Sequence, residues 1–492
     1  MTILPPPRVL LGAAGLVGGG LLAAALAVMV PQLGTKGIAA FGGLAMVGAV
    51  ILLTGRPKEV FLAAYVVTLT YNRQYYGLFD RIFGGTPGES LYWIPADLIL
   101  LCLFASSIVD GSLARRAPMV REVACAPALP FLVAALLSTL VAERMDLAAA
   151  DTFRIVKFTL LLAWLHRNMD RSLWLTLVGA LAATITLQAS LGVLQVVFRA
   201  GQSLLSVVGA GGPDVLPEEI DNRARGTLGH PNVIAPYLLM LAPAAFGVAI
   251  FSRSTPLRLL ALAVTVITAA GMVATKSRAP GVLLVAALGS TAIAGVWLRA
   301  LSPKLLLGAG VWALLALAAA LLPFLNDIVE RFRGDFAVSV SFRAEYNRAG
   351  MAVFSENPLL GIGFGASGER MGQIWFVIAH ELRQVARFAH LADVRASAPI
   401  HNVYVLMLAE VGAIGFLGFC ALLGAVVWRG IRGAALTVAG SRGVCVGLTC
   451  GVLAQIVQQV LDFSLWWDPS WFTLALIAAV LGTAPRIRPG LP

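Results

Sequence analysis

Apolar residues in this chain come in long runs broken by short polar segments, not in alternation. A run of about 18 or more apolar residues is long enough to cross roughly 30 Å of hydrocarbon as a helix. Lipid offers no water to backbone groups, so each run is either a helix or part of a closed barrel. Alternating ten-residue segments of the barrel type are absent. The pattern therefore predicts an all-α, polytopic membrane helix bundle of about 12–14 transmembrane helices. Expected spans fall near 8–31, 37–54, 59–78, 90–109, 126–142, 152–166, 173–198, 232–251, 257–275, 279–298, 304–324, 402–428, 443–461 and 466–483. The third and sixth are short and carry polar residues, which sets the lower count of twelve. The first is too long for a secretory signal and is followed by many others, so it reads as a transmembrane helix. On this reading the chain divides into a transmembrane bundle (1–324), a loop region (325–401) and C-terminal transmembrane helices (402–492).

Composition agrees with that class: 59% of the 492 residues are hydrophobic and 12% charged. The net charge of +11 does not call for nucleic acid, because cytoplasmic loops of membrane proteins carry such an excess. With the N-terminus inside, one set of loops holds Arg56 and Lys58, Arg115, Arg116 and Arg121, Arg167 and Arg171, Arg253 and Arg258, Arg299 and Lys304, Arg429, Arg432 and Arg442, and Arg486 and Arg488. The other set is sparser and carries acids. Both termini are therefore expected in the cytoplasm, with loops 199–231 and 325–401 outside. The five cysteines (Cys102, Cys125, Cys420, Cys445 and Cys450) show no metal-ligand spacing, so neither a metal site nor a disulfide framework is expected.

Some cations depart from the topology rule. Arg223, Arg225, Lys276 and Arg278 lie on the expected outer side, each at a helix junction. Headgroup anchoring is one reading; gripping an anionic substrate group is the other, and arginine is suited to a bidentate hold on phosphate. Three segments there go beyond composition. The first runs Arg223-Ala224-Arg225-Gly226-Thr227-Leu228-Gly229-His230-Pro231-Asn232. The second is Lys276-Ser277-Arg278-Ala279-Pro280-Gly281. The third is the closing half of the long loop: Arg343, Asn347, Asn357-Pro358-Leu359-Leu360-Gly361-Ile362-Gly363, and then His401-Asn402 with Glu410 and Gly412.

In this order the segments resemble the O-antigen ligase and O-antigen polymerase superfamily of bacterial integral membrane glycosyltransferases, over roughly residues 220 to 420. The resemblance implies a multi-pass protein of the bacterial inner (plasma) membrane with its active site facing the periplasm. It implies transfer of glycan from a polyprenyl (undecaprenyl) diphosphate-linked donor to an acceptor hydroxyl, on a glycan or on lipid A-core. It points to a ligase, with the polysaccharide polymerase of the same superfamily as the alternative. The membrane lipids are the remaining partners, and no cofactor is implied. A lipid-linked sugar flippase is the competing class, but transporters favour paired repeats and none is visible between the halves.

Such a reaction needs a base for the acceptor proton and cations for the diphosphate. His401 is the expected general base, since an unperturbed imidazole (pKa about 6.5) is mostly neutral near pH 7. Arg223 fits the family's Arg-x-x-Gly position and is the first choice for the diphosphate; Arg225 and Arg278 follow. No outer Asp-x-Asp pair offers a metal site, so arginines stand in its place. Further candidates are Lys276, which also reads as a headgroup anchor, and Arg154, which with Lys157 opens a short span. Residues 368–392 read as an amphipathic helix that presents Arg383 and Arg387 on one face. His230, before a proline, reads as a turn builder. Glu410, nine residues beyond His401 on a continuous helix, falls on the opposite face roughly 13 Å away, which makes it a packing group and not a partner.

Overall fold

The computed structural model describes residues 54–71, 94–109, 126–198, 223–304, 335–367 and 400–487, together with residues 50, 51, 122, 123, 307, 308 and 370. These contain twelve α-helices and no strand. The N-terminal part holds α1 (Pro57–Leu69), α2 (Pro95–Val109), α3 (Leu129–Val141), α4 (Met145–Asn168) and α5 (Arg171–Phe198). Then come α6 (Pro231–Phe251), α7 (Thr255–Ala274) and α8 (Arg278–Trp297). Helix α9 (Asp335–Glu356) lies within the expected outer loop, and α10 (Val403–Leu436), α11 (Ala439–Gln458) and α12 (Asp468–Thr483) close the chain. Among the described residues α5, α6, α7, α8, α10 and α11 are long and apolar enough to cross a membrane. The protein is a polytopic helical membrane bundle. The spans expected at 8–31 and 304–324, most of 37–54 and the helix at 368–392 fall outside the described residues.

Helices α6 and α11 pack most closely. Gly443, Gly447 and Gly451 on α11 lie against the backbone of Gly247, Pro243 and Met240 on α6, where a Cβ would collide with a carbonyl. Small residues of this kind replace the missing hydrophobic drive between helices in lipid. Helix α12 is buried on nearly every side, with Trp471, Phe472 and Leu474–Leu481 inaccessible.

Contacts between helix termini mark two distinct ends of the bundle. At one end Lys58 Nζ donates to Asn168 Oδ1 at 3.1 Å and Ser172 Oγ donates to Glu59 Oε1 at 2.9 Å. Arg429 meets His166 at 3.0 Å there. This end collects the basic loop residues. At the other end lie the starts of α2, α4, α6, α8, α10 and α12 and the three sequence motifs. Helix α4 begins two turns earlier than its expected span, because its charges are paired inside the protein. Lys157 Nζ sits 2.9 Å from Asp97 Oδ1, and Arg154 Nη1 sits 3.0 Å from Asp151 Oδ1.

Helix α10 is not continuous. Gly412 has φ 64° and ψ −171°, a region open in practice to glycine alone. The break folds the Val403–Val411 segment back: the Tyr404 ring lies 6.4 Å from both Phe416 and Phe419, although fifteen residues of straight helix would separate Tyr404 from Phe419 by about 22 Å. A break in lipid exposes carbonyls and N–H groups that must be paired within the protein. The 357–363 turn pairs them. Ala413 N–H donates to Pro358 O (2.9 Å) and Ile414 N–H to Leu359 O (3.3 Å), while Ile362 and Gly363 N–H donate to Ala409 O and Glu410 O (both 3.1 Å). Gly361 (φ 71°) lies against the backbone of Glu410 and Val411, and Gly412 against that of Leu359 and Leu360, each with no room for a Cβ.

Candidate active site

Asn402 starts α10 as its cap, with Oδ1 accepting from the N–H groups of Tyr404 (3.0 Å) and Val405 (3.3 Å). An Asn cap satisfies donors that a helix start leaves unpaired. His401 is thereby held just outside the helix. The Tyr346 ring of α9 stacks on its imidazole (centroids 5.4 Å apart, planes 25° apart), and the Phe463 ring meets it edge-on at 5.2 Å.

The chain behind His401 is fixed by the 459–467 loop. Val403 N–H donates to Gln459 O (3.1 Å) and Asp462 O (3.2 Å). The Gln459 side chain braces that loop, donating to Ser464 Oγ (3.1 Å) and accepting from Leu465 N–H (2.9 Å). Gln459 thus closes its own loop. Burial pushes the Asp462 carboxyl up to about 6, against the opposing effects of the Phe463 N–H, Arg343 and Gln458.

The first two motifs meet at the same end. Ala224 N–H donates to Ala274 O at 2.9 Å. The Arg223 guanidinium donates through Nε to Thr275 O (2.8 Å) and through Nη2 to Ser277 Oγ (3.0 Å) and Asn232 Oδ1 (3.3 Å). Lys276 is exposed with φ 51°, and Arg278 opens α8 half-buried. Arg225 is buried, its N–H bonded to Gln195 Oε1 of α5 at 3.0 Å. His230 is the cap of α6, its Nδ1 accepting from Asn232 N–H at 3.1 Å. This is the turn-building role that Pro231 suggested. Burial pushes the His230 imidazole down to about 4, and Arg223 and His401 add to the effect. His230 thus stands within electrostatic reach of both Arg223 and His401, and the second motif joins Arg223 through Ser277.

Residues 263–420 match the family model described as O-Antigen ligase. The match covers about a third of the chain, from within α7 through the Gly412 break, and takes in Lys276, Arg278, Tyr346 and His401. Arg223, Arg225 and His230 precede it in sequence and reach it only through the fold. The six long apolar helices make the chain a multi-pass membrane protein, and its matched segment is similar to the O-antigen ligase family. No curated protein matches the chain.

Arg154 stands apart from this convergence. It is buried, its Nε donates to Asp468 Oδ1 at 2.7 Å, an Nη reaches Trp466 O, and its guanidinium lies over the Trp466 ring at 4.5 Å. Lys157 is likewise committed to Asp97. Arg154 therefore anchors the 459–467 loop against α4 and α12. Arg383 and Arg387 lie outside the described residues. Glu410 is buried, accepts from Ser367 Oγ at 2.6 Å, and gives its backbone carbonyl to Ser138 Oγ at 2.7 Å. It packs, as expected, against the loop after Gly363 as well as α3, and the Gly412 break lies beyond it, so the helical separation from His401 stands. Tyr346, Phe463 and Asp468 carried no sequence signal. Arg343 stands in the third motif.

Proposed function

We propose that this chain transfers glycan from a polyprenyl diphosphate-linked donor to an acceptor hydroxyl, at the periplasmic face of the bacterial inner membrane. His401 takes the acceptor proton. The acceptor oxygen forms a bond to the anomeric carbon, the bond from that carbon to the phosphate oxygen breaks, and the electron pair leaves with the polyprenyl diphosphate. Arg223 and Arg278, with Arg225 behind them, stabilise the charge that develops on the leaving group. No step in this scheme calls for a metal ion. One observation carries the reading: Tyr346 and Phe463 hold His401 just outside the start of α10, at the end of the bundle where Arg223 joins Thr275, Ser277 and Asn232.

Fixed aromatic walls suit a positioned base, since a base works only in a narrow geometry. The basic end of the bundle supports a cytoplasmic location for that end and an outer location for the site. The site serves a ligase, which moves finished glycan to lipid A-core, and equally the polymerase of the same superfamily, which joins repeat units. His401→Ala in cells tests the assignment. Loss of glycan-capped lipid or of polymer, with donor accumulating on the outer face, is the expected result. Donor trapped on the cytoplasmic face would make the chain a flippase and sink the proposal.

A further inference from the structure

A polar cavity opens at the same end of the bundle, with a volume of about 300 Å³. Its floor includes Ile362 and Ala366. Its walls are Glu143 and Arg144 from the α3–α4 turn, Glu356 and Asn357 from the end of α9, and Arg370. Arg370 grips Glu356 with both prongs of its fork, Nε to Oε2 at 3.1 Å and Nη2 to Oε1 at 2.9 Å. Glu143 faces the same guanidinium and adds to the elevation of its pKa. Arg144 is held in the same way by Asp146, at 3.0 and 2.9 Å.

We propose that this cleft binds sugar rings of the glycan acceptor, a proposal that rests on the transferase reading. A sugar ring has an apolar C–H face and an edge of paired hydroxyls. The apolar floor suits the first, and planar carboxylate, amide and guanidinium groups suit the second, because each offers two parallel hydrogen bonds. Both wall arginines are held by carboxylates, Arg370 by Glu356 and Arg144 by Asp146, and Glu143 adds a further negative charge, so a phosphate or anionic headgroup gains no net cation there. Placement fits as well. Glu356 is ten residues beyond Tyr346 on α9, or about 15 Å along the helix, and Tyr346 stacks on His401. An acceptor seated in the cleft is within a few sugar units of the base. The Asn357–Gly363 turn then serves two ends at once, since Asn357 and Ile362 line the cleft while the turn's backbone pairs the broken α10.

The test uses the full chain in lipid nanodiscs, donor extracted from the native host, and oligosaccharide released by mild acid from that host's own surface polysaccharide as acceptor. Glu143→Ala is expected to raise the acceptor KM about tenfold, the effect of losing one hydrogen bond to a charged group, with donor KM and kcat unchanged. Glu356→Gln, which keeps the shape and one accepting oxygen, is expected to raise it less. The saturation-transfer NMR signal of the same oligosaccharide should weaken in parallel. An acceptor KM and NMR signal indifferent to both variants would overturn the cleft. So would a rise that follows the anionic-lipid content of the disc. If the wild type shows no His401-dependent transfer, the transferase reading fails instead. The NMR signal then decides the cleft alone: loss with Glu143→Ala supports it, and indifference overturns it.

Discussion

Replacing Gly412 by alanine attacks the joint that sets the position of His401. At φ 64° and ψ −171° any side chain is strained by about 1–3 kcal/mol. The new methyl would also fall on the Leu359 carbonyl and the Leu360 nitrogen, which are backbone atoms that cannot swing away. Relief requires the 357–363 turn to withdraw, and four backbone hydrogen bonds run between that turn and the break. At about 0.5–1.5 kcal/mol each, their loss adds roughly 2–6 kcal/mol, so the total is several kcal/mol. The consequence for chemistry is specific. Withdrawal frees the Val403–Val411 segment to straighten, and His401 leaves the wall formed by Tyr346 and Phe463. Unfolding followed by intrinsic fluorescence in detergent, alongside transfer of glycan in nanodiscs, measures both effects. The expected result is a lowered unfolding midpoint with transfer down at least a hundredfold, and the same for Gly361→Ala from the other side of the contact. A Gly412→Ala protein within about 1 kcal/mol of wild type and with full transfer would show that the break does not hold the site.

Two further outcomes follow from the same geometry. Arg154→Met leaves Asp468 and Asp151 buried without their cation, and breaking a buried pair costs about 3–5 kcal/mol; denaturant unfolding should show it, whereas an Arg154 that served as a donor ligand would leave stability unchanged and raise donor KM. His230 titrates at about 4 instead of its ordinary 6.5, so the folded state binds this proton less tightly than the unfolded state. Stability is complete above about pH 6.5 and falls as pH drops through 4, by up to about 3 kcal/mol; His230→Asn, which keeps the cap, should flatten that slope in a pH series of unfolding curves, and an unchanged slope would assign it elsewhere.

Much of the architecture was legible because lipid forces helices and the apolar runs mark them. The two ends were legible because basic loops fall on one side. The motif residues were legible as cations and a histidine at junctions, where composition alone would place apolar or neutral groups. The walls of the site were not. Tyr346 and Phe463 are ordinary aromatic residues whose role comes from the fold, which brings α9 and the 459–467 loop to His401 from 55 and 62 residues away in sequence. Arg154 read as a cation available to substrate because its partners, Asp468 and the Trp466 carbonyl, lie more than 300 residues downstream. Gly412 was visible in the sequence, but an isolated glycine in an apolar helix reads as a packing residue. Only its dihedral angles and the turn beside it mark a break.

The central claim is that His401 and Arg223 act on one reacting group. Release of free polyprenyl diphosphate from purified donor, measured in nanodiscs with acceptor present, tests it most directly. His401→Ala should abolish release while donor still binds at its wild-type affinity. Arg223→Lys, a point charge in place of a fork with three protein acceptors, should lower release by about ten- to a hundredfold. Release that continues in His401→Ala at the wild-type rate would contradict the account.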